Sequence, residues 1–178
     1  MVRDGASLGP LELHEGRWVV GDATRVGTHW VDLRPDGFYQ HEPASEGRLF
    51  PWSRIMTGIW ITWGKHSWNS VSRGRYTLKG MVAGRSGGWM HMTLRHPYED
   101  HQLRFDQHAR PYRAVDVLRL EYLLRHLVDE EKPHLLGDPE WLGDAVAHLA
   151  GGKNRWLTSR ALRRTAAEAV TVAGPAGR

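Results

Sequence analysis

The chain has 178 residues, 40% of them hydrophobic and 25% charged, with a net charge of +4; that length suits one domain with room for a short appendage. It contains no cysteine, which excludes disulfides, thiolate metal sites, iron–sulfur clusters and cysteine nucleophiles. No apolar run reaches the ~18 residues of a membrane-spanning helix, and residues 1–10 carry no apolar signal-peptide core, so a soluble, cytoplasmic protein is expected.

From residue 11 to about residue 106 the chain reads as short runs separated by turn signals. Residues 11–20 form the first run. Arg34-Pro35-Asp36-Gly37 is a tight turn, because proline presets φ and glycine tolerates positive φ. It joins 28–33 to 38–42 as a hairpin. Residues 48–51 are a short extended piece interrupted by Pro51. The run 55–63 places Ile55, Thr57, Ile59, Ile61 and Trp63 on one face. Residues 64–75 are a polar loop, and 76–82 alternates again. Residues 89–95 set Met90, Met92 and Leu94 against Trp89, His91, Thr93 and Arg95. A turn at 97–100 leads to 101–106, with Leu103 and Phe105 inward. The count is about seven strands at hairpin spacing, the pattern of a barrel or sandwich.

The period then changes. Pro111 opens a helix to about residue 131, since proline at the first helical position loses no hydrogen bond. Its apolar arc runs through Ala114, Val117, Leu118, Leu120, Leu123, Leu124, Leu127 and Val128, with Arg119, His126 and Asp129 opposite. So wide an arc implies cover on more than one side. Glu121 falls inside it, either at its solvent edge, the expected place, or paired with an arginine or histidine. Asp138-Pro139-Glu140 starts a second helix, with Asp138 as N-cap and Pro139 at N1, which stops at Gly151-Gly152. A last helix spans about 158–170. The glycine pair and the charge break at Lys153 mark it as an appendage, so residues 1–152 are expected to fold without it.

The charge is segregated. Residues 47–98 carry 8 basic side chains and no carboxylate, whereas 99–144 carry 6 basic and 11 acidic ones. If the basic stretch shares one face it presents a positive field to an anionic partner; strands that interleave the segments in space would neutralise it.

Seven short strands closed by one amphipathic helix resemble the pleckstrin-homology-like superfold of bacterial type, a bent antiparallel barrel capped by a C-terminal helix. Leu49-Phe50-Pro51-Trp52-Ser53-Arg54-Ile55 looks like the strand opening of its bacterial members. The resemblance implies a barrel with capping helix over 11–131, followed by a helical extension over 132–172, with 1–10 and 173–178 as flexible termini. It also implies a peptide, protein or lipid binder rather than an enzyme. The loop at 21–27 holds Asp22 and only Arg25, so the superfold's usual inositol-phosphate site is not expected. A rival resemblance is to lipocalin-like barrels, through Gly16-Arg17-Trp18; it implies an apolar cavity for a small molecule, or a catalytic barrel.

Gly84-Arg85-Ser86-Gly87-Gly88 satisfies Gly-x-Ser-x-Gly, but a nucleophile elbow needs a helix after the serine and a strand follows here. His91, His96 and His101 are spaced by five; four residues of strand separate the ends by about 13 Å at ~3.3 Å per residue, too far for one coordination sphere. No metal, cofactor or catalytic residue is therefore assigned. The loop at 64–75 offers Lys65, His66, Trp68, Arg73 and Arg75 without an acid, which suits phosphate contacts with stacking or an anionic membrane surface. Trp60, Trp63 and Trp89 are assigned to core or barrel-end packing. The expectation is a mainly β (α+β) binding or regulatory module, non-enzymatic and without an integral membrane segment. Those five loop residues would meet an acidic protein face, lipid headgroups or nucleic acid.

Overall fold

The computed structural model describes residues 6–69, 76–83, 87–152 and 158–175. Among them, nine antiparallel strands form sheets of six and three, and three α-helices follow. The larger sheet is a meander of β1 (Ser7–Leu8), β2 (Leu11–His14), β3 (Arg17–Val20), β4 (Trp30–Arg34), β5 (Gly37–Glu42) and β6 (Ser45–Pro51). The smaller contains β7 (Trp60–Trp63), β8 (Gly88–Leu94) and β9 (Glu99–Phe105).

The N-terminal part supplies two strands that the sequence reading does not give. Residues 11–20 are a hairpin rather than one run, because Glu15 and Gly16 take positive φ and reverse the chain between His14 and Arg17. Ser7–Leu8, in the stretch expected to be a loose terminus, pairs with β2 and buries Leu8. The turn at Pro35-Asp36 is the expected hairpin, with Arg34 opposite Gly37. Trp52 pins it by donating its Nε1–H to the carbonyls of Arg34 and Pro35.

The strands form two sheets, not the single seven-stranded barrel of the expectation. A 3-10 turn at Trp52–Arg54 breaks the ladder after β6. Of the run 55–63 only the last four residues are strand; Ile55 makes one bridge, to Leu94. The sheets meet at this end through that bridge and the Arg95 N–H to Arg54 carbonyl bond. At the other end the Asp22 N–H donates to the Asp106 carbonyl and the Asp106 N–H to the His29 carbonyl. Trp18, Trp63, Phe38, Phe50 and Phe105 fill the interior, none more than 2% exposed. Residues 76–82 are a tight reversal closed by a bridge between Tyr76 and Val82, not a strand.

Helix α1 (Ala114–Asp129) begins three residues later than Pro111 predicts. Residues just before it are held extended by the 80–82 segment: Met81 bridges Arg113, and the Tyr112 carbonyl accepts the Val82 N–H. Helix α2 (Pro139–Gly151) is capped as its sequence predicts, the Asp138 carboxylate accepting the N–H groups of Glu140 and Trp141. Two polar side chains of α1 depart from expectation. Arg119 is buried and caps the end of α2, donating to the carbonyls of Leu149 and Gly152. Glu121 is half-buried rather than free at a solvent edge, its carboxylate accepting the Ile61 N–H at 3.0 Å and pairing with Arg125 at 3.7 Å.

Helix α3 (Ser159–Ala173) packs on both preceding helices. Leu162 and Ala166 form a second apolar cluster with Leu118 and Tyr122 of α1. Ala169 and Ala173 join the main core, and the Gly174 carbonyl accepts the Trp141 Nε1–H at 2.8 Å. The wide arc of α1 thus faces the sheets with Leu120, Leu123, Leu124 and Leu127 and faces α3 with Leu118 and Tyr122. No helix among the described residues is long and apolar enough to cross a membrane.

Candidate binding site

Side chains alternate across a strand, and in the smaller sheet the alternation separates two populations. Ile61, Trp63, Met90, Met92, Leu94, Leu103 and Phe105 are buried. Trp60, Trp89, His91, Gln102 and Arg104 occupy the opposite, outer face. Register sets them in rows: Trp60 opposite His91 and His91 opposite Gln102, then Thr62 opposite Trp89 and Trp89 opposite Arg104.

The Trp60 indole lies parallel to the His91 imidazole, centroids 5.5 Å apart at 9°, and remains 41% exposed. The His91 ring is fixed by a contact of 2.7 Å between its Nε2 and Thr62 Oγ1. Burial lowers its pKa, so the stacked imidazole is neutral at pH 7. Trp89 is held by donation of its Nε1–H to the Gly64 carbonyl at 3.0 Å, and the Arg104 guanidinium stands 5.8 Å from its ring centroid. Asp106 lies 3.3 Å from Arg104. Burial alone would raise the Asp106 carboxyl, but hydrogen bonds from the His29 backbone and ring, with the Arg104 charge, outweigh it and hold the group below its usual range.

This face runs into a cleft of about 270 Å³ between β9 and the β5–β6 hairpin. Arg48, Phe50, His101, Gln102 and Arg104 line it, and Glu42 is the one carboxylate among its lining residues. Gln40 ties its two sides together: the buried side chain donates Nε2–H to the Trp30, His41 and Arg104 carbonyls. Its Oε1 is buried without a hydrogen-bond partner among the described residues.

The loop that the sequence singles out starts at the Gly64 carbonyl held by Trp89. Lys65 and His66 are exposed. Trp68, in a 3-10 turn at Ser67–Asn69, is 83% exposed and stacks on His66, centroids 4.6 Å apart at 12°. The loop and the outer face therefore adjoin through Trp89. Arg73 and Arg75 lie outside the described residues, as does Ser86. Of the described basic residues in 47–98, Arg54 pairs with Glu99; Arg48, Lys65, Lys79 and Arg95 have no carboxylate within ion-pair distance among the described residues.

Two of the tryptophans assigned by sequence to core or barrel-end packing belong to this surface. Trp63 is buried, but Trp60 and Trp89 lie on the outer face. The signal was the strand phase: Trp60 alternates against Ile59 and Ile61, and Trp89 against Met90. Arg48, His91 and Arg104 were also missed, because their proximity depends on pairing between segments far apart in the chain. His91 and His101 fall on opposite faces of the sheet, since His91 is opposite Gln102 and Met92 opposite His101. No group of three His, Asp or Glu side chains among the described residues is arranged to hold a metal ion.

A second polar cluster lies apart from this face. His108, buried between β9 and α1, meets Tyr112 Oη with its Nδ1 at 2.5 Å and lies 2.8 Å from Glu12 Oε1 through Nε2. Arg110 reaches the other Glu12 oxygen at 3.3 Å. Burial pushes the Tyr112 phenol up to about 12, so it stays protonated against His108, while His108 and Arg110 tie the β9–α1 connection to Glu12 of β2. Comparison of the chain with protein-family models, with curated proteins and with solved structures finds no match.

Proposed function

We propose that the chain is a non-enzymatic binding module that presents the outer face of β7–β9, the adjoining cleft and the loop after β7 to an anionic partner. The observation that carries this reading is the set of basic side chains left without carboxylate partners there. Arg48 borders the cleft and Lys65 the loop; Arg104, itself paired with Asp106, stands between them over Trp89. Interleaved strands neutralise only part of the 47–98 stretch, through Arg54 and Glu99. Uncompensated charges on one side of a molecule produce a field that attracts anions over roughly 10 Å at 0.1 M salt. The antiparallel meander and the long helix after the last strand support reading the frame as a variant of the pleckstrin-homology-like superfold, here with six and three strands.

The test is binding of inorganic polyphosphate, anionic vesicles and a labelled oligonucleotide at two salt concentrations. At least one probe binds at low salt and weakens as salt rises. The double variant Arg48→Ala/Lys65→Ala reduces that binding while stability changes by no more than about 0.5 kcal/mol, as for exposed charges generally. Absence of binding to all three at low salt overturns the reading.

A further inference from the structure

We infer that the anionic partner is a single-stranded nucleic acid, its bases stacking on Trp60 and Trp68 and its phosphates meeting Lys65, Arg48 and Arg104. This inference rests on the anionic-partner reading above and adds the chemistry of the ligand. Charge alone does not account for the aromatic side chains on this surface. Trp60 and Trp68 are each stacked in parallel on one histidine, His91 and His66, and each remains well exposed. An indole fixed by a stack on one side offers a pre-oriented flat ring on the other, which is what an unpaired base recognises irrespective of its identity.

The surroundings argue against the other anionic surfaces. A membrane-inserting tryptophan needs apolar neighbours that enter the bilayer with it, whereas Trp60 shares its face with Thr62, His91, Gln102 and Arg104, and Trp89 is the one large apolar ring beside it among the described residues. An acidic protein surface would be served by the basic groups alone and makes no use of the rings. Duplex nucleic acid hides its base faces within its own stack, so exposed flat rings favour a single strand. Trp60 and Trp89 are diagonal neighbours in the β7–β8 register, about 7–8 Å apart at Cα, and Arg104 is opposite Trp89, so aromatic and cationic groups stand side by side on one face.

The experiment uses the full chain and measures polarisation of a short labelled single strand of mixed sequence, with competition by inorganic polyphosphate and by duplex of the same sequence. The single strand binds more tightly than either competitor. Trp68→Ala and Trp60→Ala each weaken it by about tenfold, within the range for loss of one base–aromatic stack; Trp68→Phe retains most of the affinity, and polyphosphate binding is unchanged in all three. Because Trp68 is almost fully exposed, its variants decide the matter even if Trp60→Ala disturbs β7. Equal binding of polyphosphate and single strand, with no effect of Trp68→Ala, overturns this inference and leaves the anionic reading standing. Failure of polyphosphate, vesicles and single strand alike overturns both.

Discussion

The carboxylate of Glu121, in the middle of α1, accepts the backbone N–H of Ile61 in β7 at 3.0 Å. β7 is an edge strand of the smaller sheet, and an edge leaves alternate N–H groups without a strand partner. Ile61 is 1% exposed, so water does not reach that N–H. The helix supplies the missing acceptor, which explains a glutamate inside an otherwise apolar arc.

Glu121→Ala therefore leaves a buried N–H without this acceptor and costs about 1–3 kcal/mol. Glu121→Gln keeps an acceptor oxygen and costs less. Urea denaturation of the two variants checks the order; equal losses would mean that the charge beside Arg125, 3.7 Å away, matters more than the hydrogen bond.

Helix α3 is part of the packed structure. Leu162 is 4% exposed against Leu118 and Tyr122, and its truncation to alanine costs about 2–4 kcal/mol, the scale for a buried leucine. A chain ending at Gly152 loses that cluster, Ala169 and Ala173 from the main core, and the acceptor of the Trp141 indole. Its unfolding midpoint falls by more than that of Leu162→Ala. A truncated chain as stable as the full one would show that α1 and α2 close over the gap.

Acid destabilises the fold in two stages. His41, His91 and His101 have pKa values lowered from 6.5, in each case chiefly by burial. Glu12 and Asp22 are raised by burial but lowered further by their partners: His108 and then Arg110 for Glu12, the Thr24 hydrogen bonds and then His108 and Arg25 for Asp22. Asp106 follows the same sign. A group whose folded value lies below its unfolded one binds fewer protons when folded. Its contribution is complete above the unfolded value and is lost as pH falls through the folded one. The histidine stage thus begins below 6.5 and the carboxylate stage below 4.5 and 3.8. Denaturant midpoints measured through that span show both, and Glu12→Gln flattens the lower stage. An acid limb unchanged by that substitution would contradict the assignment.

What was legible in the sequence is what depends on near neighbours. The Pro35-Asp36 turn, the alternation of β8 and the Asp138 cap each need only residues within a few positions. What was not legible depends on partners far along the chain. Glu121 finds its acceptor role 60 residues away, and Arg119 caps a helix end 30 residues on. Tyr112 and Arg113 are kept out of α1 by a segment some 30 residues earlier. The candidate site divides in the same way. The acid-free loop with Lys65, His66 and Trp68 is visible in one stretch of sequence, whereas the face beside it needs the register of three strands. The position of Trp60 on the surface is written only in its strand phase, between the buried Ile59 and Ile61, and runs against the preference of large aromatic side chains for cores.

Gln40 connects this face to the rest of the fold. From β5 its Nε2 reaches the Trp30 and His41 carbonyls in the larger sheet and the Arg104 carbonyl in the smaller one, the last at 3.0 Å. The residue is 5% exposed, so removing the donor leaves buried carbonyls that water replaces poorly. Gln40→Ala costs about 1–3 kcal/mol for the unsatisfied groups, and the tie across the cleft is lost with it. Gln40→Glu is worse, because a carboxylate faces three carbonyl oxygens where an amide donated. Amide hydrogen exchange should show the loosening in β9 first, near Arg104, whose position over Trp89 depends on that strand. Binding of the anionic probe should then weaken in Gln40→Ala although no basic or aromatic group has been removed. If exchange in β9 is unchanged and only global stability falls, Gln40 is a core residue of the larger sheet and does not set the width of the cleft.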